Sequence, residues 1–146
     1  MKANIYKLPA FIWLLLTLLI LPGCKKDKES KALISDLNQN VWTLKFIENT
    51  GSNFITYYPD IKEKITIEFS ENKQLVFDGV CNKGGGTYAL ENDKLTVSSM
   101  ITTEIYCNNI NWEEIASNGL VKAIKYKIDN GKLIIYSEAG YNLVFE

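Results

Sequence analysis

From residue 41 onward the chain is built of short runs in which apolar and polar residues alternate, each closed by a turn signal. This rhythm restricts it to antiparallel β-structure. Trp42, Leu44 and Phe46 alternate in the first run and Ile65, Ile67 and Phe69 in the second. Leu75-Val76-Phe77 follows the tight Glu71-Asn72-Lys73 connection as the other arm of a hairpin. Thr87-Tyr88-Ala89-Leu90 and Lys94-Leu95-Thr96-Val97 flank a turn at Asn92-Asp93, and residues 100–107 carry Ile101, Thr103 and Ile105 on one alternating set. Residues 124–128 lead into Asp129-Asn130-Gly131-Lys132, whose Asn-Gly pair is a strong hairpin signal. Residues 133–136 return, Ala139-Gly140 turns again, and residues 141–145 supply the last strand.

One helix interrupts this series. Trp112, Ile115 and Ala116 fall at helical spacing, which predicts a helix from about residue 110 to 118. Asn109 can cap it, Glu113 and Glu114 sit in its first turns where the helix dipole favours acids, and Gly119 fits the position just past its end. About eight short strands with one helix indicate an antiparallel barrel or sandwich, the helix covering an open end or face.

Residues 75–107 hold the chain's most distinctive pattern: Cys81-Asn82, then Gly84-Gly85-Gly86, then Cys107. The glycines permit positive φ or close backbone approach. They do not make a phosphate loop, since neither the GxxxxGK[ST] nor the GxGxxG order is present and no βαβ unit follows. Trp42 reads as a core anchor, because its neighbours continue the alternation. Phe54, Tyr57 and Tyr58, in a polar connection, read as a loop tucked onto the core, with a groove lining as the alternative.

The chain has 16 basic residues, all lysine, against 17 acids, and no histidine. The usual general base near neutral pH is therefore missing, with every His-containing zinc site and every Ser-His or Cys-His nucleophilic pair. Asp78, Asp93, Glu104 and Glu113 form no recognisable acid–base motif, so no catalytic residue is assigned and the domain is expected not to be an enzyme. No metal site and no cofactor are expected. Scattered lysines give no footprint for nucleic acid.

The first residues carry an address. A short basic segment, MKANIYK, precedes an apolar run over residues 8–21, which is shorter than the roughly 20 residues a transmembrane helix needs. Charge, apolar run, small residue and cysteine follow in the order of a cleaved export signal. Leu21-Pro22-Gly23-Cys24 resembles a bacterial lipobox, which implies a signal peptide over 1–23, removed before Cys24, and lipid on the Cys24 thiol. Two or more acyl chains anchor a protein stably where one does not. Residues 24–31, charged and with nothing to bury, are read as the lipidated cysteine and its flexible tether, and 32–146 as the folded domain. Lys25 stands where an aspartate would signal inner-membrane retention, so the expected address is the outer membrane of a bacterial envelope.

The domain also resembles a known family. Trp42, Phe77, Gly79, Cys81-Asn82, Gly86 and Tyr88, then Thr103-Glu104-Ile105-Tyr106-Cys107, a helix near Trp112 and a closing meander are similar to the META domain, the family that includes the bacterial heat-shock lipoprotein HslJ. Gly84 stands where the family often has an aromatic, and Ile105 where it has methionine. The resemblance implies a mostly β (α+β) envelope domain, a cracked or partly open antiparallel β-barrel with one packed helix. Family members are linked to stress and drug tolerance. The motif residues it points to here are Trp42, Gly79, Asn82, Gly86, Tyr88 and Thr103.

The expected function is that of a non-enzymatic binding or structural module on the membrane, partnered by an envelope protein and monomeric in its soluble part. The alternative is a carrier or chaperone holding an apolar ligand or a lipidated partner inside the barrel. With Cys24 committed to lipid, Cys81 and Cys107 remain. Export permits a disulfide between them, and the alternative is two buried thiols acting as small hydrophobes. A zinc pair is disfavoured, since two thiolates leave the site half-built.

Overall fold

A computed structural model describes residues 36–38, 40–51, 56–57, 64–106 and 111–146. The expected signal peptide over 1–23, the lipidated Cys24 with its tether to residue 31, the start of the domain at 32, Phe54, Tyr58, Cys107 and the Asn109 cap all lie outside these residues.

The described elements run β1 (Val41–Asn49), β2 (Thr56–Tyr57), β3 (Thr66–Phe69), β4 (Gln74–Asp78), β5 (Lys83–Glu91), β6 (Lys94–Thr102), α1 (Asn111–Val121), β7 (Ala123–Asp129), β8 (Lys132–Ser137) and β9 (Tyr141–Phe145). Every pairing is antiparallel, and β9 returns to pair with β1, so eight strands close a barrel. The short β2 lies beside the far half of β1, along the edge whose near half takes β3.

Alternation builds the interior. β3 and β4 point Ile67, Phe69, Leu75 and Phe77 inward, while β8 and β9 contribute Leu133, Ile135, Leu143 and Phe145. Burying such side chains is the main stabilising term, at about 25 cal/mol per Å² of apolar surface removed from water. Phe69, Phe77 and Phe145 fill the barrel without exposure. Trp42 is buried as the alternation predicts, and its indole donates to the Leu37 carbonyl at 3.0 Å, fixing the helical turn at residues 36–38.

Irregularities in register account for the departures from the simple pattern. In β1, Trp42 and Leu44 are buried, but Ile47 takes the next inward place that alternation gave to Phe46. The β1–β9 ladder shifts between Leu44 and Phe46, and one inserted residue reverses which side chains face the core. In β6, Leu95 and Val97 point inward, but the β5–β6 register then shifts and Ser99 takes a φ of 53°. Ile101, on one alternating set with Thr103 and Ile105, is 77% exposed, and Ile105 is 57% exposed. Met100 to Thr102 continue β6, and Thr103 to Tyr106 leave the sheet.

The three glycines lie within β5, not in a turn before it. A Cβ on Gly85 would sit 2.6 Å from the Leu75 carbonyl oxygen, and one on Gly86 would sit 2.7 Å from that of Ser98. Strand β5 therefore presses its backbone against both neighbours, and only glycine allows that approach. The Asn130-Gly131 turn forms as predicted, with φ of 51° and 77°, the left-handed pair of a tight hairpin.

Candidate functional site

The candidate site is the junction where the β4–β5 turn, the segment after β6 and the first turn of α1 meet. Each contribution follows from local sequence. Gly79 to Asn82 form a tight turn in which the Gly79 N–H donates to the Asn82 carbonyl at 2.8 Å. That turn presents the N–H groups of Cys81 and Asn82 to the first turn of α1.

Glu113 meets both. It sits in the first turn of α1 with 4% exposure, and its carboxylate accepts from Cys81 N at 2.8 Å and from Asn82 N at 3.0 Å. Hydrogen bonds to an ionised acceptor are about twice as strong as neutral ones. The close fit explains Gly79: a Cβ there would collide with the Glu113 carboxylate.

Asn82, 7% exposed, ties in the third segment. Its Oδ1 accepts from Ile105 N at 2.7 Å and from the Thr103 hydroxyl at 2.9 Å, and its Nδ2 donates to the Ile105 carbonyl at 3.2 Å. The carboxamide thus pairs with both backbone groups of Ile105, as a neighbouring strand's peptide unit would. Aspartate lacks the Nδ2 donor and cannot reproduce this. The Thr103 hydroxyl also accepts from Lys83 N at 3.1 Å. Cys81 Sγ lies 3.6 Å from the Ile105 carbonyl oxygen, two residues from Cys107 along the chain.

The structure therefore gathers Gly79, Cys81, Asn82 and Thr103 in one place. Trp42, Gly86 and Tyr88 lie elsewhere: Trp42 and Tyr88 in the core, Gly86 inside β5. The Tyr88 ring meets Phe69 edge-on at 5.0 Å, and its hydroxyl lies 2.8 Å from both Asn38 Oδ1 and the Ser70 carbonyl. Burial raises the pKa of its phenol, against the opposing pull of the Asn38 hydrogen bond.

In the sequence Glu113 is a candidate acid placed to suit the helix dipole, but its partners are more than thirty residues away along the chain, so no local signal marks this role. Helical spacing puts Trp112, Ile115 and Ala116 on the docking stripe. The inward face of α1 is instead Glu113, Ala116, Gly119 and Leu120, with Trp112 and Ile115 half-buried at its margins. Gly119 is inside the helix rather than past its end, and glycine suits the place because a Cβ there would sit 2.9 Å from Tyr141 Cε2 and 3.0 Å from Leu143 Cδ1.

Of the other candidate acids, Asp78 pairs with Lys83 at 3.0 Å and Asp93 with Lys125 at 2.7 Å, both at the surface, while Glu104 is exposed. The Lys125 hydrogen bond holds the Asp93 carboxyl below its ordinary pKa. Exposed pairs of this kind contribute little to stability.

Outside the junction, an open groove of about 680 Å³ runs between α1 and the end of β6, lined by Met100, Ile115, Val121 and Tyr141 among others. It adjoins a smaller one of about 410 Å³ beside Thr103 to Tyr106. Among the described residues no helix is long and apolar enough to cross a membrane.

A family model described as the META domain matches residues 35–146. Solved structures are similar in fold. An NMR structure of a protein from Burkholderia xenovorans superposes with a TM-score of 0.66 at 19% identity, covering 79% of this chain and 86% of the other. A crystal structure of a DUF4847 family protein from Bacteroides vulgatus gives 0.59 at 13% identity, covering 77% and 95%. No curated protein sequence matches the chain.

Proposed function

The chain belongs to the META-domain family, and from that premise we propose a membrane-anchored lipoprotein of the bacterial cell envelope whose barrel is a non-enzymatic binding or structural module. The carrying observation is the state of the motif residue Asn82 and of Glu113, which meets its turn. Asn82 and Glu113 are buried, and their polar atoms are engaged with backbone groups of neighbouring segments. Groups held this way brace one segment of the fold against another. The barrel interior, occupied by Phe69, Phe77 and Phe145, favours a module that binds on its outside over a carrier with ligand inside.

Cys24 is the lipid attachment point in this reading, with the outer membrane as the address. Metabolic labelling with a fatty-acid probe tests it: the wild type incorporates label and Cys24→Ser does not. Label retained by that variant overturns the anchor.

The same reading pairs Cys81 with Cys107. The approach of Cys81 Sγ to the Ile105 carbonyl supports it, since residue 107 follows closely along the chain. The bond would contribute roughly 3 kcal/mol by chain-entropy arguments. An Ellman assay on protein taken unreduced from the envelope and then unfolded should find no thiol; two reactive thiols refute the pairing.

A further inference from the structure

The groove of about 680 Å³ between α1 and the end of β6 has the size of a small-molecule site, and its polar groups are unevenly matched. Its protons are spent inside the protein. The Tyr141 hydroxyl donates to the Ile115 carbonyl at 2.9 Å, Ser117 Oγ donates to the Glu114 carbonyl at 3.0 Å, and Asn118 Nδ2 donates to the Tyr141 oxygen at 2.9 Å. Acceptors are left over. The Glu114 carboxylate and Asn118 Oδ1 have no donor among the described residues, and both side chains are exposed along the groove.

The charge is uneven in the same sense. Glu114 has no lysine partner among the described ion pairs, whereas Asp78, Asp93, Asp129 and Glu146 do. No lysine is among the described residues lining the groove. The last turn of α1, where the helix dipole is negative and favours a cation, holds no basic residue, and Lys122 just beyond it does not line the groove. Burial raises the pKa of Tyr141, the Asn118 hydrogen bond lowers it, and the Glu114 charge raises it again, so that carboxylate acts within electrostatic reach of the ring.

We propose that this groove binds a small organic amine, a primary ammonium group carried on a short apolar chain. An ammonium brings three donors and the positive charge that the groove lacks. Glu114 balances the charge, Asn118 Oδ1 accepts a second proton, and the Tyr141 ring attracts the cation through its π face. Met100, Ile115 and Val121 offer apolar surface to the chain. A sugar brings acceptors as well as donors and no charge, and an anion is repelled by Glu114. This inference rests on the binding-module reading above and gives it a ligand class.

Titrating butylammonium chloride into the full lipidated chain, labelled with ¹⁵N and held in a zwitterionic detergent, tests it. Butanol and sodium butyrate are the matched probes. Butylammonium should move the amide signals of residues 100–102 and 114–118 saturably, and the other two should bind roughly tenfold more weakly or not at all. Glu114→Gln should weaken butylammonium roughly fivefold or more, and Val121→Glu, which adds a carboxylate at a half-exposed lining position, should tighten it by a similar factor. Glu71→Gln, at an exposed turn, is the control and should change nothing. Three outcomes overturn the proposal: no saturable shift, butanol binding as well as butylammonium, or butylammonium binding indifferent to both groove variants. The amine's own signals report on the module reading separately. A product signal overturns the non-enzymatic reading and leaves the site standing, whereas an unchanged amine that moves no α1 signal overturns the site and leaves the module.

Discussion

The barrel closes twice, by different means. At the β1–β9 seam the closure is a backbone ladder: Thr43 and Glu146 exchange hydrogen bonds at 2.7 and 2.9 Å, and pairing continues from Leu44–Phe145 to Asn49–Tyr141. At the β6–β7 seam one paired position is left, and the rest of the gap is covered by α1. That helix is secured from one side by Glu113 on the Gly79–Asn82 turn, and from the other by Tyr141, whose hydroxyl donates to the Ile115 carbonyl at 2.9 Å and accepts from Asn118 Nδ2. A ladder satisfies backbone groups in series. A helix laid across a gap satisfies only its own, so the thin seam depends on a few side chains.

The largest effect is expected at the laddered seam. Phe145→Ala removes a fully buried ring shared by β1, β8 and β9 and should cost about 4 kcal/mol in urea unfolding. Glu113→Leu should cost about 3 kcal/mol, because it strands the Cys81 and Asn82 N–H groups without an acceptor. Its amide exchange should accelerate first at residues 103–106 while β8 and β9 stay protected. Uniform acceleration would break the comparison, since the two seams would then open together.

Gly119→Val sharpens the contrast. It forces a branched side chain between α1 and the Tyr141 and Leu143 contacts and should cost about 2 kcal/mol by overpacking. A neutral result would mean that α1 floats over the seam. Tyr141→Phe is the smallest change, about 1 kcal/mol at neutral pH from the lost hydrogen bond. It carries a pH signature as well. Burial raises the folded-state pKa of Tyr141 above the ordinary 10.0, with the Asn118 hydrogen bond pulling the other way. The neutral phenol therefore favours the fold. Its contribution is complete below about pH 10 and is lost as pH rises through the elevated folded value. A urea series from pH 8 to 11 should find a shallower alkaline decline in Tyr141→Phe than in wild type, and identical slopes would place the titration elsewhere.

The two seams were unequally legible. Residues 141–145 read as a strand, and Asn130-Gly131 announced its hairpin, because both signals are local. Alternation in β1 places Phe46 inward; the shift near Leu44 puts Ile47 there, and a bulge leaves no mark in alternation. The glycine triplet announced itself as special, but whether it turned the chain or admitted its neighbours depended on where β4 and β6 ran. Glu113 was hardest of all, since a carboxylate at a helix start is ordinary and its purpose lies in a distant turn.

What the sequence determined by itself was the succession of strands, the helix that interrupts them, the residue types filling the interior, and membership of the META-domain family. Those depend on periodicity and turn chemistry, which act over a few residues. Only the tertiary structure decided that Glu113 is buried, that Asn82 stands in for a strand, and that β6 and β7 share one paired position. Each of these depends on which backbone groups lack a partner after closure, and that is fixed only when all eight strands are in place.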